Sequence, residues 1–202
     1  MMEKRYFKIN DIQTRDESGD DIYLEGMFVM YGDTYQVWDG ATESIAPGAF
    51  SESIHQDVRA LYNHNDDLVL GRTSAGTLEL EDRSSGLWGR IKINRKDTDA
   101  MNAYERIKRG DITGCSFGFN IAKQETDYRE DGTVHWTITE VNPLYEISPC
   151  TFPAYEATHI NARKKDLETM RQRKFEVRKH NMLMKLKGGA NGSESTDASE
   201  EN

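Results

Sequence analysis

Short stretches dense in branched and aromatic residues recur along the chain: "IYLEGMFVM" (22–30), "VRALYN" (58–63), "LVLGRT" (68–73), "TLELED" (77–82), "GLWGRIKIN" (86–94), "GCSFGFNIA" (114–122) and "TVHWTITEV" (133–141). Such stretches predict strands, because side chains that branch at Cβ or carry a ring pack well on a pleated, half-buried surface. Between them stand the turn signals "ESGDD", "YGDT", "HNDD", "SAG", "RSSG" and "REDG", rich in the residues that tolerate a tight reversal. Strands outnumber helices, and their close spacing predicts a mainly β fold of the α+β kind with a few helices, a barrel or a sandwich.

A helical period replaces the strand pattern at 97–109, "DTDAMNAYERIKR". Asp97 can cap its start, Met101, Tyr104 and Ile107 fall on one face, Lys108 and Arg109 suit the last turn, and Gly110 can end it. A second, shorter helix is expected after Pro47, with Phe50 and Ile54 turned inward. Past Ala162 the pattern changes. Residues 163–187, "RKKDLETMRQRKFEVRKHNMLMKLK", are helix-prone, but Leu167, Met170, Phe175, Val177 and Met182 make only a ragged apolar stripe, which suits a charged C-terminal arm better than core. Residues 188–202, "GGANGSESTDASEEN", have the composition of a disordered acidic tail.

Charge sharpens this division into a body (1–162), an arm (163–187) and a tail (188–202). The net charge of −9 combines a body with 16 basic and 28 acidic residues, an arm with 10 and 3, and a tail with 4 acidic residues. The arm alone could contact phosphates. The acidic body and tail, and a single aromatic residue in the arm, argue against nucleic acid as a partner. No apolar run approaches the eighteen or so residues of a membrane span, and the opening "MMEKRYFKIN" lacks a secretory segment, so no membrane association and a cytosolic location are expected. Cys115 and Cys150 are read as reduced thiols, and no residue spacing suggests a metal; neither metal nor cofactor is expected.

The chemistry concentrates in "DITGCSFGF" (111–119), where a serine and a cysteine stand side by side. Strand alternation sends Cys115, Phe117 and Phe119 to one face and Ser116, Gly118 and Asn120 to the other. The thiol therefore sits with the aromatics, and it reaches a base only if a bulge breaks the alternation. Ser116 has Gly114 and Gly118 two residues away on either side, which would let a substrate backbone approach. A serine in a strand is most often a packing residue. As a nucleophile it needs a base within hydrogen-bond reach. Among His55, His64, His135, His159 and His180, His64 ends an apolar run beside a turn, where a side chain can face a cleft. The third requirement is a group to orient the imidazole. Glu146 lies in the apolar stretch "NPLYEISPC", where a carboxylate is costly unless paired; Asp66, Glu156 and His159 are alternatives.

"ESIAPGAF" (43–50), "ALYNHNDDLVLGRT" (60–73), the helix running into "GDITGCSFGF" (110–119) and "EISPCTFPAYEAT" (146–158) resemble, in order and spacing, the successive blocks of the tailed-phage prohead maturation proteases. The resemblance covers the body and leaves the arm outside. It implies a serine endopeptidase with a fold similar to the herpesvirus assemblin protease, an antiparallel barrel wrapped by a few helices. Ser116 would be the nucleophile, His64 the general base and Glu146 the third member, although the herpesvirus relatives use a second histidine there. Gly71 and Arg72 of "LGRT" would lie in the oxyanion region. The implied substrates are the scaffold or the scaffolding segment of the major capsid protein, and the enzyme itself. It would act inside the prohead in the host cytoplasm, as a homo-oligomer. The rival reading is a non-enzymatic scaffold component of the procapsid.

Overall fold

The computed structural model describes residues 3–7, 12–16, 21–129 and 131–151, together with the isolated positions 172, 175, 176, 179 and 182. The chain divides into two units, Met1–Glu156 and Ala157–Asn202. In the second unit the described positions are helical, with Phe175 and Met182 exposed. The expected arm and tail otherwise lie outside the described residues, as do Glu156 and His159.

In the first unit, strands β1 (Glu3–Phe7), β10 (Gly114–Tyr128), β11 (Val134–Cys150), β5 (Ala41–Ile45), β4 (Tyr35–Trp38), β6 (Arg59–Tyr62) and β7 (Asn65–Arg72) form a 7-stranded sheet. Strands β2 (Gln13–Asp16), β3 (Ile22–Met30), β9 (Gly86–Ile93) and β8 (Leu78–Arg83) form a 4-stranded one. Mainly β with a helix is the class the sequence predicts. The larger sheet is mixed rather than wholly antiparallel, because β11 pairs in parallel with β5 and with β6.

One core joins the sheets. Phe117 stacks on Phe119 with centroids 4.7 Å apart and meets Phe50 edge-on at 5.7 Å. Gly89 on β9 has a specific packing reason: a Cβ there would come within 2.9 Å of Phe28 and 3.2 Å of Ile147. The missing side chain lets β9 approach β11. Helix α1 (Thr98–Arg109) forms as its sequence predicts: the Asp97 carboxylate accepts from the amides of Asp99 and Ala100, Gly110 ends it at φ 86°, and Ala100, Ala103, Tyr104 and Ile107 are buried.

The helix expected after Pro47 is instead a run of tight turns ending in a single 3-10 turn, Ser53–His55. Gly48 sits at φ 80°, a left-handed conformation that an α-helix cannot continue through. Phe50 is nevertheless fully buried and Ile54 packs against the core. Strands β1, β2, β4 and β5 escape the sequence reading because each is only four or five residues long, and β1, β2 and β5 also carry many polar residues. Strand β11 runs on through "NPLYEISPC" despite Pro143 and Pro149.

Candidate active site

Strand β10 is paired on one side with β11 and on the other with β1, and this register organises the site. Ser116 lies opposite Ser148, and Gly118 opposite Glu146. Directly opposed residues of an antiparallel pair share a sheet face, so Ser116, Gly118, Glu146 and Ser148 all project to one side. The register runs without a shift from Gly114 to Gly118, so no bulge turns Cys115 toward that side. Glycine at 118 leaves the space facing Glu146 free of a side chain.

His64 reaches this face from a two-residue hairpin loop. Tyr62 pairs with Asn65, and the two residues between them, Asn63 and His64, sit at φ 54° and 58°. Positive φ at both central positions is the hairpin geometry that matches strand twist, and Asn and His are among the side chains that tolerate it best. The loop is stapled to the end of β11: the Asn63 amide donates to Pro149 O at 3.0 Å, and Asn63 Oδ1 accepts from the Thr151 amide at 2.8 Å. The backbone thus fixes where the imidazole starts.

The imidazole meets Glu146. His64 Nδ1 lies 2.7 Å from Glu146 Oε1, with side-chain exposures of 10% and 4%. An ionised carboxylate only accepts, so Nδ1 carries the hydrogen, and in the neutral ring Nε2 keeps its lone pair. Nε2 is buried and has no hydrogen-bond partner among the described residues. Glu146 Oε2 accepts from the Ser148 hydroxyl at 2.5 Å. A buried carboxylate with both oxygens engaged and an imidazole with a vacant acceptor nitrogen make a base held in one orientation.

Ser116 shares this face but is 0% exposed, so the open approach inferred from its flanking glycines is absent here. The other candidates are dispersed. Asp66 is exposed on β7. His55 is exposed, and both ring nitrogens of His135 are engaged, Nδ1 with Thr42 Oγ1 at 2.8 Å and Nε2 with Ser44 Oγ at 2.9 Å. His180 lies outside the described residues. Gly71 pairs with Ala60, and a Cβ on it would come within 2.6 Å of Thr77 O, so close packing accounts for this glycine. The Arg72 amide donates to Thr77 Oγ1 at 2.9 Å, and its guanidinium grips Asp57 through Nε at 2.8 Å and Nη2 at 2.5 Å. The Arg72 amide is thus already committed within the turn. The paired guanidinium holds the Asp57 carboxyl well below the usual carboxylate range.

The two thiols differ. Burial, and secondarily Cys150, push the Cys115 thiol far up. Cys150, opposite Gly114, falls on the same face as Glu146 and Ser148; burial and then the Glu146 charge push its thiol up to about 12. Both stay protonated near neutrality, which removes the thiolate that cysteine chemistry needs. Sequence reasoning missed Ser148, although its two-residue spacing from Glu146 in a strand was the signal for a shared face.

A family model of the caudovirus prohead serine proteases matches residues 10–173. The prohead protease of Enterobacteria phage HK97 is 28% identical over 153 residues, covering 73% of this chain and 65% of that protein. The chain therefore spans a little under two thirds of that relative's length. Among solved structures, the bacteriophage T4 capsid assembly protease aligns over 75% of this chain and 98% of its own, at 14% identity and a TM-score of 0.42. With most of its length inside the family model, this chain belongs to the caudovirus prohead serine protease family.

Proposed function

We propose that the chain is a serine endopeptidase of phage head maturation in which Ser116 is the nucleophile, His64 the general base and Glu146 the residue that orients the base and stabilises its charged form. The observation that carries this reading is the buried 2.7 Å bond between His64 Nδ1 and Glu146 Oε1, with Nε2 unpartnered on the face that Ser116 shares. His64 Nε2 takes the proton of the Ser116 hydroxyl as its oxygen attacks a peptide carbonyl. The imidazolium so formed lies against Glu146. The proton then passes to the leaving amine, and water, activated by the same nitrogen, releases the acyl group from Ser116. No metal or cofactor enters these steps.

Ser116 and His64 Nε2 are not hydrogen-bonded to each other in the described arrangement, and Ser116 is fully covered. Catalytic hydrogen bonds often tighten only when substrate is bound, so this is a closed resting state. Cleavage requires a rearrangement that uncovers Ser116, which suits an enzyme that must stay silent until a shell surrounds its substrates. Those substrates are the scaffold or scaffolding segment of the major capsid protein, and the protease itself, within the prohead in the host cytoplasm. The protease works there as a homo-oligomer. In this reading 1–162 is the protease body, the basic arm 163–187 docks on scaffold or shell and is released by self-cleavage, and 188–202 is a solvated tail. Among the described residues no helix is long and apolar enough to cross a membrane.

The test is intact mass of the full chain coexpressed with its cognate capsid protein, wild type against Ser116→Ala. Trimmed products in wild type and full-length chains in the mutant are expected. Identical trimming in both would remove Ser116 from the mechanism, and full-length chains in both, inside assembled particles, would favour the scaffold reading.

A further inference from the structure

The Ser148 hydroxyl joins the two halves of the site. A serine hydroxyl has one hydrogen to donate and two lone pairs to accept with. Here it donates to Glu146 Oε2 at 2.5 Å and accepts the backbone amide of His64 at 3.3 Å. Ser148 is 0% exposed, so water does not compete for either bond. Its place is fixed by the sheet: it lies two residues from Glu146 on β11, and directly opposite Ser116 on β10.

We propose that Ser148 is a positioning residue for catalysis, locking the Glu146 carboxylate in the plane that receives His64 Nδ1 and tying the His64 loop to the strand that carries the carboxylate. This inference rests on the assignment of Ser116, His64 and Glu146 above. Glu146 has a flexible side chain, and one oxygen bonded to His64 leaves the carboxylate free to pivot about that contact. The second bond, to Ser148, removes the pivot. The amide bond does the same for the base, because His64 stands in a left-handed loop conformation whose amide, turned toward β11, needs an acceptor there. Without the hydroxyl, the buried Oε2 loses its donor, and the carboxylate turns in search of another. The imidazole follows it, and Nε2 no longer points along the line of proton transfer. A misplacement of about 1 Å at a catalytic group is enough for a hundredfold loss.

The experiment measures phosphonylation of Ser116, in the full chain assembled with its cognate capsid protein where the proposed uncovering takes place, by a small alkyl fluorophosphonate: the serine oxygen bonds to phosphorus, its proton passes to His64 Nε2 and fluoride leaves. The rate at saturating probe is separated from the probe's half-saturation concentration, and melting temperature is recorded alongside. For Ser148→Ala the maximal rate is expected to fall about 10- to 100-fold with half-saturation unchanged. A wild-type maximal rate in a folded Ser148→Ala protein, with only its melting temperature lowered, would make Ser148 a packing residue and overturn the inference. If that variant does not fold, Ser148→Cys keeps the volume with a far weaker donor; the same fall in rate is expected, and a wild-type rate again overturns the inference. The failure of the underlying assignment looks different: wild type is then not labelled at Ser116 at all, and the inference goes with it.

Discussion

Strands β10 and β11 carry two interiors on opposite faces of one sheet. On one face stand Cys115, Phe117 and Ile147; on the other stand Ser116, Glu146, Ser148 and Cys150, and every one of these residues is at most 3% exposed. Burial alone does not separate a core from this candidate site. What separates them is how polarity is satisfied. The first face is apolar and gains from burial in proportion to area. The second buries a carboxylate and hydroxyls, which is tolerable only because Glu146 Oε1 meets His64 and Oε2 meets Ser148. The first face holds the fold, and in the proposed assignment the second holds the proton acceptor.

Substitutions on the two faces are expected to fail in different ways. The largest effect belongs to Ser116→Ala, expected to reduce cleavage of the capsid protein by about four to six orders of magnitude while changing stability by about 1 kcal/mol. Loss of folding in place of loss of cleavage would merge the two faces. Next is Glu146→Gln, which keeps the shape but lets the amide offer a hydrogen to Nδ1 and so favours the wrong tautomer. A fall of about 10³- to 10⁴-fold is expected, measured as the initial rate of product formation, while Asp66→Asn, on exposed β7, leaves the rate unchanged.

On the opposite face, Phe117→Ala removes a ring that contacts both Phe50 and Phe119. It is expected to cost about 3–5 kcal/mol in urea unfolding, with the residual folded fraction cleaving at close to the wild-type rate per folded molecule. A folded Phe117→Ala protein with normal stability and no activity would show that the aromatic face does catalytic work.

Much of this was legible in the sequence, and the failures have physical causes. Alternation alone put Cys115 and Phe117 on the face away from Ser116, because the register of β10 is unbroken there. The α1 helix could be read from Asp97 to Gly110 because both ends are set by local chemistry. His64 could be placed at a turn, but its partner could not be derived from spacing, since Glu146 lies 82 residues away and meets it through the parallel pairing of β6 with β11 and the bonds that tie the loop to the end of β11. The glycine of "LGRT" shows the same limit from the other side. Gly71 has a real steric reason, but that reason is Thr77, which no motif indicates. The burial of Ser116 was also invisible, because it depends on how chain from elsewhere covers that face.

The finest test of the two faces uses one chemical change at two places. Cys115 and Cys150 are free thiols, both buried, and serine is nearly isosteric with each. At 115 the new hydroxyl would face the apolar core beside Phe117, where an unpaired buried hydroxyl costs about 1–3 kcal/mol. At 150 it would join the face of Ser148 and Glu146, where acceptors already stand; the Glu146 charge acting on the Cys150 thiol is a sign of that surrounding. Thermal unfolding should therefore show Cys115→Ser lowering the melting temperature by roughly 2–12 °C, and Cys150→Ser by less than half as much, with cleavage by the Cys150→Ser protein within about threefold of wild type. Equal losses at the two positions would mean that the polar face is no better at receiving a hydroxyl than the core. The surroundings inferred for Glu146 would then be wrong even if its bond to His64 were right.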